Sequence, residues 1–176
     1  MTTITSSLDV QLRSVSPRDA AALARLYNHG VASRLFTYVT EETTPERQFE
    51  VIDEAKLRYP FLVAVTDGQV AGYARLSPYG GTRPWHRGLG EVSIVVAPEF
   101  RGQGVGARLV SGIVDAARDA GFWKVVSLIF EPNMPSLSLF RRAGFRDVGV
   151  YERHGNLHGT WVNVVILERL ILENQD

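Results

Sequence analysis

The chain has 176 residues, 45% of them hydrophobic, with 19 basic and 19 acidic side chains and no cysteine. That length predicts one domain whose core needs no covalent staple. Zero net charge argues against a protein that coats nucleic acid, and the missing thiols exclude disulfides, thiolate zinc sites and a cysteine nucleophile. No cationic leader precedes an apolar run, and no apolar stretch reaches the ~18 residues that span a bilayer. The expectation is a soluble, cytoplasmic protein without membrane contact. The first eight residues are polar and read as a flexible N-terminus, followed by a single domain over 9–173.

In chain order, Val10 to Val15 alternates as a first strand. Ser16-Pro17 supplies an N-cap and a first-turn proline for a helix from Ala20 to Asn28. Thr44-Pro45 repeats that signal for a second helix through about Leu57. Phe61 to Val65 is a strand, Asp67-Gly68 a hairpin turn, and Val70 to Leu76 the returning strand. Residues 77–90 form a loop rich in glycine, proline, arginine and aromatics, which points to a function. Glu91 to Val96 is the next strand. Val105, Leu109, Val110, Ile113, Val114 and Ala117 recur at helical spacing, and Gly121 ends that helix. Val125 to Phe130 is a strand and Pro135 to Ala143 a short helix. Phe145 through about Leu172 reads as two antiparallel strands joined near Asn156. The order predicts a mixed α/β layer around one sheet, with one strong β-α-β crossover.

That crossover carries Arg101-Gly102-Gln103-Gly104-Val105-Gly106-Ala107 between strand and helix. Alternate glycines let backbone N–H groups converge on one point, and the helix start adds more unpaired N–H groups and a positive dipole end. Such a nest binds a diphosphate. Gly102-x-Gly104-x-x-Ala107 also fits a dinucleotide fingerprint, with Glu131 where a ribose-binding acid would sit. Against it, Ala97 to Arg101 separate strand from glycines, and no run of parallel β-α units follows. A P-loop needs Lys-Ser/Thr where Ala107-Arg108 stand. A plain turn has little use for three glycines, each costly in conformational entropy.

The same residues resemble the Arg/Gln-x-x-Gly-x-Gly/Ala signature of GNAT-type N-acetyltransferases. Tyr59-Pro-Phe-Leu-Val-Ala, Gly72-Tyr-Ala, Arg83, Glu91-x-Ser-Ile-x-Val96, Pro132-Asn133-x-Pro-Ser136, Ala143-Gly-Phe145 and His158-Gly-x-Trp161 resemble, in order, its phosphinothricin acetyltransferase branch. The resemblance implies the GNAT acyl-CoA N-acyltransferase fold: a mixed central sheet with a V-shaped splay between two parallel strands and helices on both faces. It implies acetyl-CoA as cosubstrate, held by the amides of residues 101–107, by the backbone of Ile94, Val95 and Val96, and by Asn133. Asn133 reads equally well, locally, as a turn residue.

The chemistry needs a base, because an amine with pKa near ~10 is protonated at neutral pH. Glu91 matches the glutamate of the family motif and is the candidate; alone, it reads as a solvated acid at a strand end. The Val95 or Val96 amide is the candidate donor to the oxyanion. On the acceptor side the resemblance points to Tyr38, Arg83 and Trp85, a guanidinium suiting a carboxylate or phosphinate. Trp85 is equally a candidate for the dimer interface of the branch, which implies a homodimer. Four departures stand out: Gly81 where a second arginine is usual, Phe140 where a Tyr or His acid is usual, and Leu157 and Asn163 near the end. Tyr151 and His154 are possible substitutes for the acid. His154 and His158 flank Gly155-Asn156, which reads as a turn, so no metal is expected. The implied function is direct acetyl transfer to the amine of a small amino acid or amino-acid-like toxin. Its competitors are an acyl-CoA-binding sensor and a protein or peptide acetyltransferase.

Overall fold

The computed structural model describes residues 8–55, 58–79 and 83–175. Expectations for residues 1–7, Leu57 and Gly81 lie outside them. Seven strands form one sheet in the order β1-β2-β3-β4-β5-β7-β6. They are β1 (Gln11–Ser14), β2 (Phe61–Thr66), β3 (Gln69–Pro78), β4 (Leu89–Val96), β5 (Lys124–Phe130), β6 (Arg146–Leu157) and β7 (Thr160–Leu170). The helices are α1 (Ala20–Ser33), α2 (Pro45–Ala55), α3 (Val105–Asp119) and α4 (Met134–Arg142). The mixed architecture and every expected element are present; several boundaries move.

Each moved boundary has a local cause. Helix α1 continues past Asn28 to Ser33, and at Gly30 the Phe36 ring lies against it: an added Cβ would stand 2.7 Å from that ring. It ends where Arg34 turns left-handed at φ 57°. Strands β3 and β4 reach into the segment read as loop, because they keep pairing as far as Pro78 and Gly90. The last two strands meet two residues past Asn156. That residue pairs with Trp161, and the turn is His158-Gly159, whose φ angles of 49° and 85° suit a tight hairpin.

The sheet buries both faces. Leu109, Ile113, Phe140 and Val125 pack on one side with α3 and α4; Leu23, Ile52, Val63, Tyr73 and Val95 pack on the other with α1 and α2. A buried acid pins the entry to α1. Asp19 accepts two hydrogen bonds of 2.7 Å from Arg13 and two, of 2.8 and 3.0 Å, from the Ser16 amide and hydroxyl. The Arg13 bonds come first among the causes that hold its pKa below the ordinary carboxylate value. Its stabilisation is therefore complete above pH ~4 and is lost as pH falls through the lower folded value. Asp19→Ala is expected to cost about 2 kcal/mol and lower Tm by roughly 4–8 °C, and the loss should shrink in acid. A thermal melt series across pH checks both.

Candidate active site

The site begins where two parallel strands part. Strands β4 and β5 pair at Leu89–Lys124, Gly90–Val125 and Glu91–Val126, and no further. Beyond that point β4 stays on β3 as far as Val96, while β5 stays on β7 as far as Phe130. The buried Ser127 hydroxyl donates to the Val92 carbonyl (3.1 Å), just past the last ladder pair.

Strand alternation decides which β4 groups face the gap. The Ala97 amide donates to the Ala71 carbonyl of β3 (2.9 Å). In an antiparallel ladder this pairing recurs every two residues, so Val95 also turns its amide and carbonyl toward β3. Ile94 and Val96 turn theirs toward the splay. Of the three backbone candidates, Val95 is thus committed to the sheet, and the open hydrogen-bonding edge belongs to Ile94 and to the Val96 amide, the Val96 carbonyl being taken by Arg101.

The gap holds two chambers that meet at Leu35, Phe36, Ile94, Asn133 and Ser136. The larger, about 630 Å³, is bordered by Arg101, Gly102, Gly104, Gly106, Ala107 and Arg142. Two arginines and no acidic residue stand among its described lining residues, a charge balance that suits phosphates. Gly102 and Gly104 have φ of 73° and 84°, the left-handed values that aim successive amides together, and Gly104 opens α3. Nothing lies within 4 Å of a Cβ built on either glycine. The residues present therefore fit a diphosphate.

Three members of the motif do other work. Arg101 donates from Nε to the Val96 carbonyl (3.2 Å), tying the loop to the end of β4. Gln103 donates to the Glu99 carbonyl (2.7 Å) and does not line the chamber. The Val105 side chain is wholly buried under α3. Asn133 caps α4 through the Ser136 amide (3.3 Å), and its side-chain amide donates to the Leu35 carbonyl (3.0 Å). It joins the α1–α2 connection to the far wall of the cleft at the junction of the chambers.

The smaller chamber, about 380 Å³, is lined by Tyr38, Arg75, Glu91, Ser93, Ser127 and His154 among others. Glu91 is half-buried beside the last β4–β5 pair. Burial raises its pKa, and the Arg75 charge opposes that rise. Tyr38 packs on Phe130 (ring centroids 4.6 Å), and burial raises its phenol pKa. A Cβ at Gly155 would stand 2.5 Å from the Tyr38 ring, so the glycine permits that packing. Between Tyr151 and Gly155, β6 bulges outward, and the Arg153 amide is held by Asn163 Oδ1 (2.8 Å). The bulge brings His154 to the chamber, stacked on Tyr151 at 4.7 Å.

The structure does not bring every expected acceptor residue here. Arg83 and Trp85 line neither chamber; they pair with each other, guanidinium over ring at 5.9 Å, and Trp85 is 66% exposed. Phe140 is fully buried, edge-on to Phe145, and carries no transferable proton. Arg75 is the residue that sequence reasoning missed. The available signal was a charge inside the otherwise apolar run Val70 to Leu76.

A splayed parallel pair with a glycine cradle at one end and a half-buried carboxylate at the other defines an acyl-CoA-dependent N-acyltransferase. The pattern of the Acetyltransferase (GNAT) family matches residues 23–145, and the chain belongs to that family of N-acetyltransferases. It is 33% identical over 165 residues to the phosphinothricin N-acetyltransferase of Streptomyces coelicolor, covering 92% of this chain and 96% of that one. To the L-methionine sulfoximine/L-methionine sulfone acetyltransferase of Pseudomonas aeruginosa it is 30% identical over 167 residues, covering 92% and 94%. The structure of a GNAT superfamily phosphinothricin acetyltransferase from Sinorhizobium meliloti in complex with AcCoA matches with a TM-score of 0.85 at 28% identity, covering 93% and 89%.

Proposed function

We propose that the chain transfers acetyl from acetyl-CoA to the primary amine of a small amino acid or an amino-acid-like toxin, of the phosphinothricin or methionine sulfoximine type, by direct attack. The single observation that carries this reading is the placement of Glu91. It is a half-buried carboxylate at the crotch of the splay, facing a small chamber that opens into the glycine-lined one. Acetyl-CoA, when bound, supplies the thioester carbonyl. Gly102, Gly104, Gly106, Ala107 and Arg142 would hold its phosphates, with Arg101 bracing the loop.

Glu91 takes the proton from the ammonium. Its raised pKa makes it a stronger base than an exposed glutamate. The Ile94 and Val96 amides on the open edge of β4 are the donors for a carbonyl oxygen. With no cysteine in the chain, no thiol can carry an acetyl group in between.

Two further parts of the reading rest on the outer surface and on the cosubstrate. Strand β6 is an edge strand with Val148, Val150 and Tyr151 exposed, and Trp161 beside it is 58% exposed, which favours pairing with a second copy as a homodimer. Dependence on acetyl-CoA favours a cytoplasmic setting; no helix among the described residues is long and apolar enough to cross a membrane.

Steady-state release of CoA thiol with a panel of amino acids and their phosphinate, sulfone and sulfoximine analogues tests the reading. Release that depends on an acidic amine acceptor is expected. Tight acetyl-CoA binding with no acceptor-dependent thiol would instead mark a sensor.

A further inference from the structure

Arg75 lies mid-strand in β3, half-buried, on the wall of the smaller chamber. It stands opposite Ser93 in the β3–β4 ladder, while Glu91 stands opposite Ser77. Arg75 and Glu91 are therefore diagonal neighbours on one face of the sheet, with Cβ atoms about 7 Å apart. The guanidinium makes no hydrogen bond or ion pair with any described residue. Its charge reaches Glu91 without a salt bridge between them.

That arrangement is unusual for a half-buried arginine. Five donors in a planar fork, held partly away from water, need an acceptor. A guanidinium locked onto Glu91 would quench both groups; here both remain available on one wall. Ser93 stands opposite Arg75 in the ladder, and Glu91 is the only acidic side chain among the described residues that line the chamber.

We propose that Arg75 determines acceptor specificity by binding the acceptor's carboxylate or an equivalent anion while Glu91 faces its amine, so that the acceptor is a zwitterionic α-amino acid or its isostere. This rests on the acetyltransferase reading above and sharpens it. One small zwitterion, with amine and carboxylate on the same carbon, satisfies two opposite charges set side by side. A simple amine leaves the arginine unpaired, and a peptide amine presents an amide where the arginine calls for an anion. Arg83, stacked on Trp85 outside the chamber, has no part in that choice.

The test uses L-methionine sulfone and its carboxamide as paired acceptors with wild type, Arg75→Ala, Arg75→Lys and Arg83→Ala. Wild type should favour the acid by more than about tenfold in kcat/KM. Arg75→Ala should lower kcat/KM for the acid about 30- to 100-fold, the worth of charged hydrogen bonds, and that for the carboxamide less than about threefold. The acetyl-CoA KM should stay within about twofold, which a collapsed sheet would not allow. Arg75→Lys, with charge but no fork, should fall between, and Arg83→Ala should keep the wild-type ratio. Equal losses for acid and carboxamide in Arg75→Ala, or a ratio collapsed by Arg83→Ala, would overturn the assignment. Calorimetric binding of the two probes to the CoA complex separates the two readings. Arg75-dependent preference for the acid without turnover sustains the anion site and removes the enzymatic reading. Binding with no such preference removes the anion site itself.

Discussion

Glu91→Gln is expected to lower kcat about 100- to 1,000-fold at pH 7, the range that a positioned general base contributes. The substitution keeps shape and most packing but removes the only acidic side chain among the described residues lining the smaller chamber. The pH profile is the more telling measurement. In wild type, kcat at saturating acceptor should fall in acid along a limb lying above the ordinary carboxylate value, because burial raises the pKa of Glu91. In the variant that limb should vanish. An amine with pKa near ~10 is only about one part in a thousand unprotonated at pH 7, and that fraction grows tenfold per pH unit. The variant's deficit should therefore narrow steadily as pH rises. Removing Arg75 takes away a cation that favours the ionised carboxylate, so Arg75→Ala should shift the wild-type limb upward. A glutamine variant that kept the wild-type limb would remove Glu91 from the mechanism.

Gly104→Val is expected to raise the acetyl-CoA KM by about 10- to 100-fold with little change in acceptor KM. Two effects combine. The φ of 84° costs a β-branched residue about 1–2 kcal/mol or forces the loop to turn its amides away. The new side chain would also project into space that is open now, which in our reading the phosphates fill. Gly121 supplies the control. It has φ of 80°, equally empty surroundings, and a place at the far end of α3. Gly121→Val should carry a similar stability cost in a thermal melt and leave acetyl-CoA affinity unchanged. A matching loss of affinity in both variants would make the glycine effect one of helix stability rather than of the cradle.

The local features were legible before any coordinates. Three alternate glycines ahead of an amphipathic run can be read from spacing alone, because backbone freedom belongs to the residue itself. Glu91 could be singled out because the family motif aligns it. Arg83 was readable only as a residue type suited to anions, and the fold leaves it outside the chambers on Trp85. Arg75 went unread because a lone arginine in an apolar strand gains meaning only from what stands across the ladder. The same holds for Val95: its place in β4 is evident in sequence, but the direction of its amide depends on the register with Tyr73. The hairpin between β6 and β7 falls at His158-Gly159, beside the expected Asn156, and the bulge in β6 that Asn163 holds could not be read ahead of the pairing.

Resemblance to a family motif singled out Glu91 as the proposed base; by itself, the order of residues determined the class of fold and the position of the glycine loop. These depend on periodicity, on missing side chains and on neighbours within a few positions. Tertiary structure alone decided which strand edge stays open, which arginine shares a chamber with Glu91 and which merely stacks at the surface. Those outcomes turn on pairing between segments far apart in the chain, where a shift of one residue moves every side chain to the opposite face of the sheet.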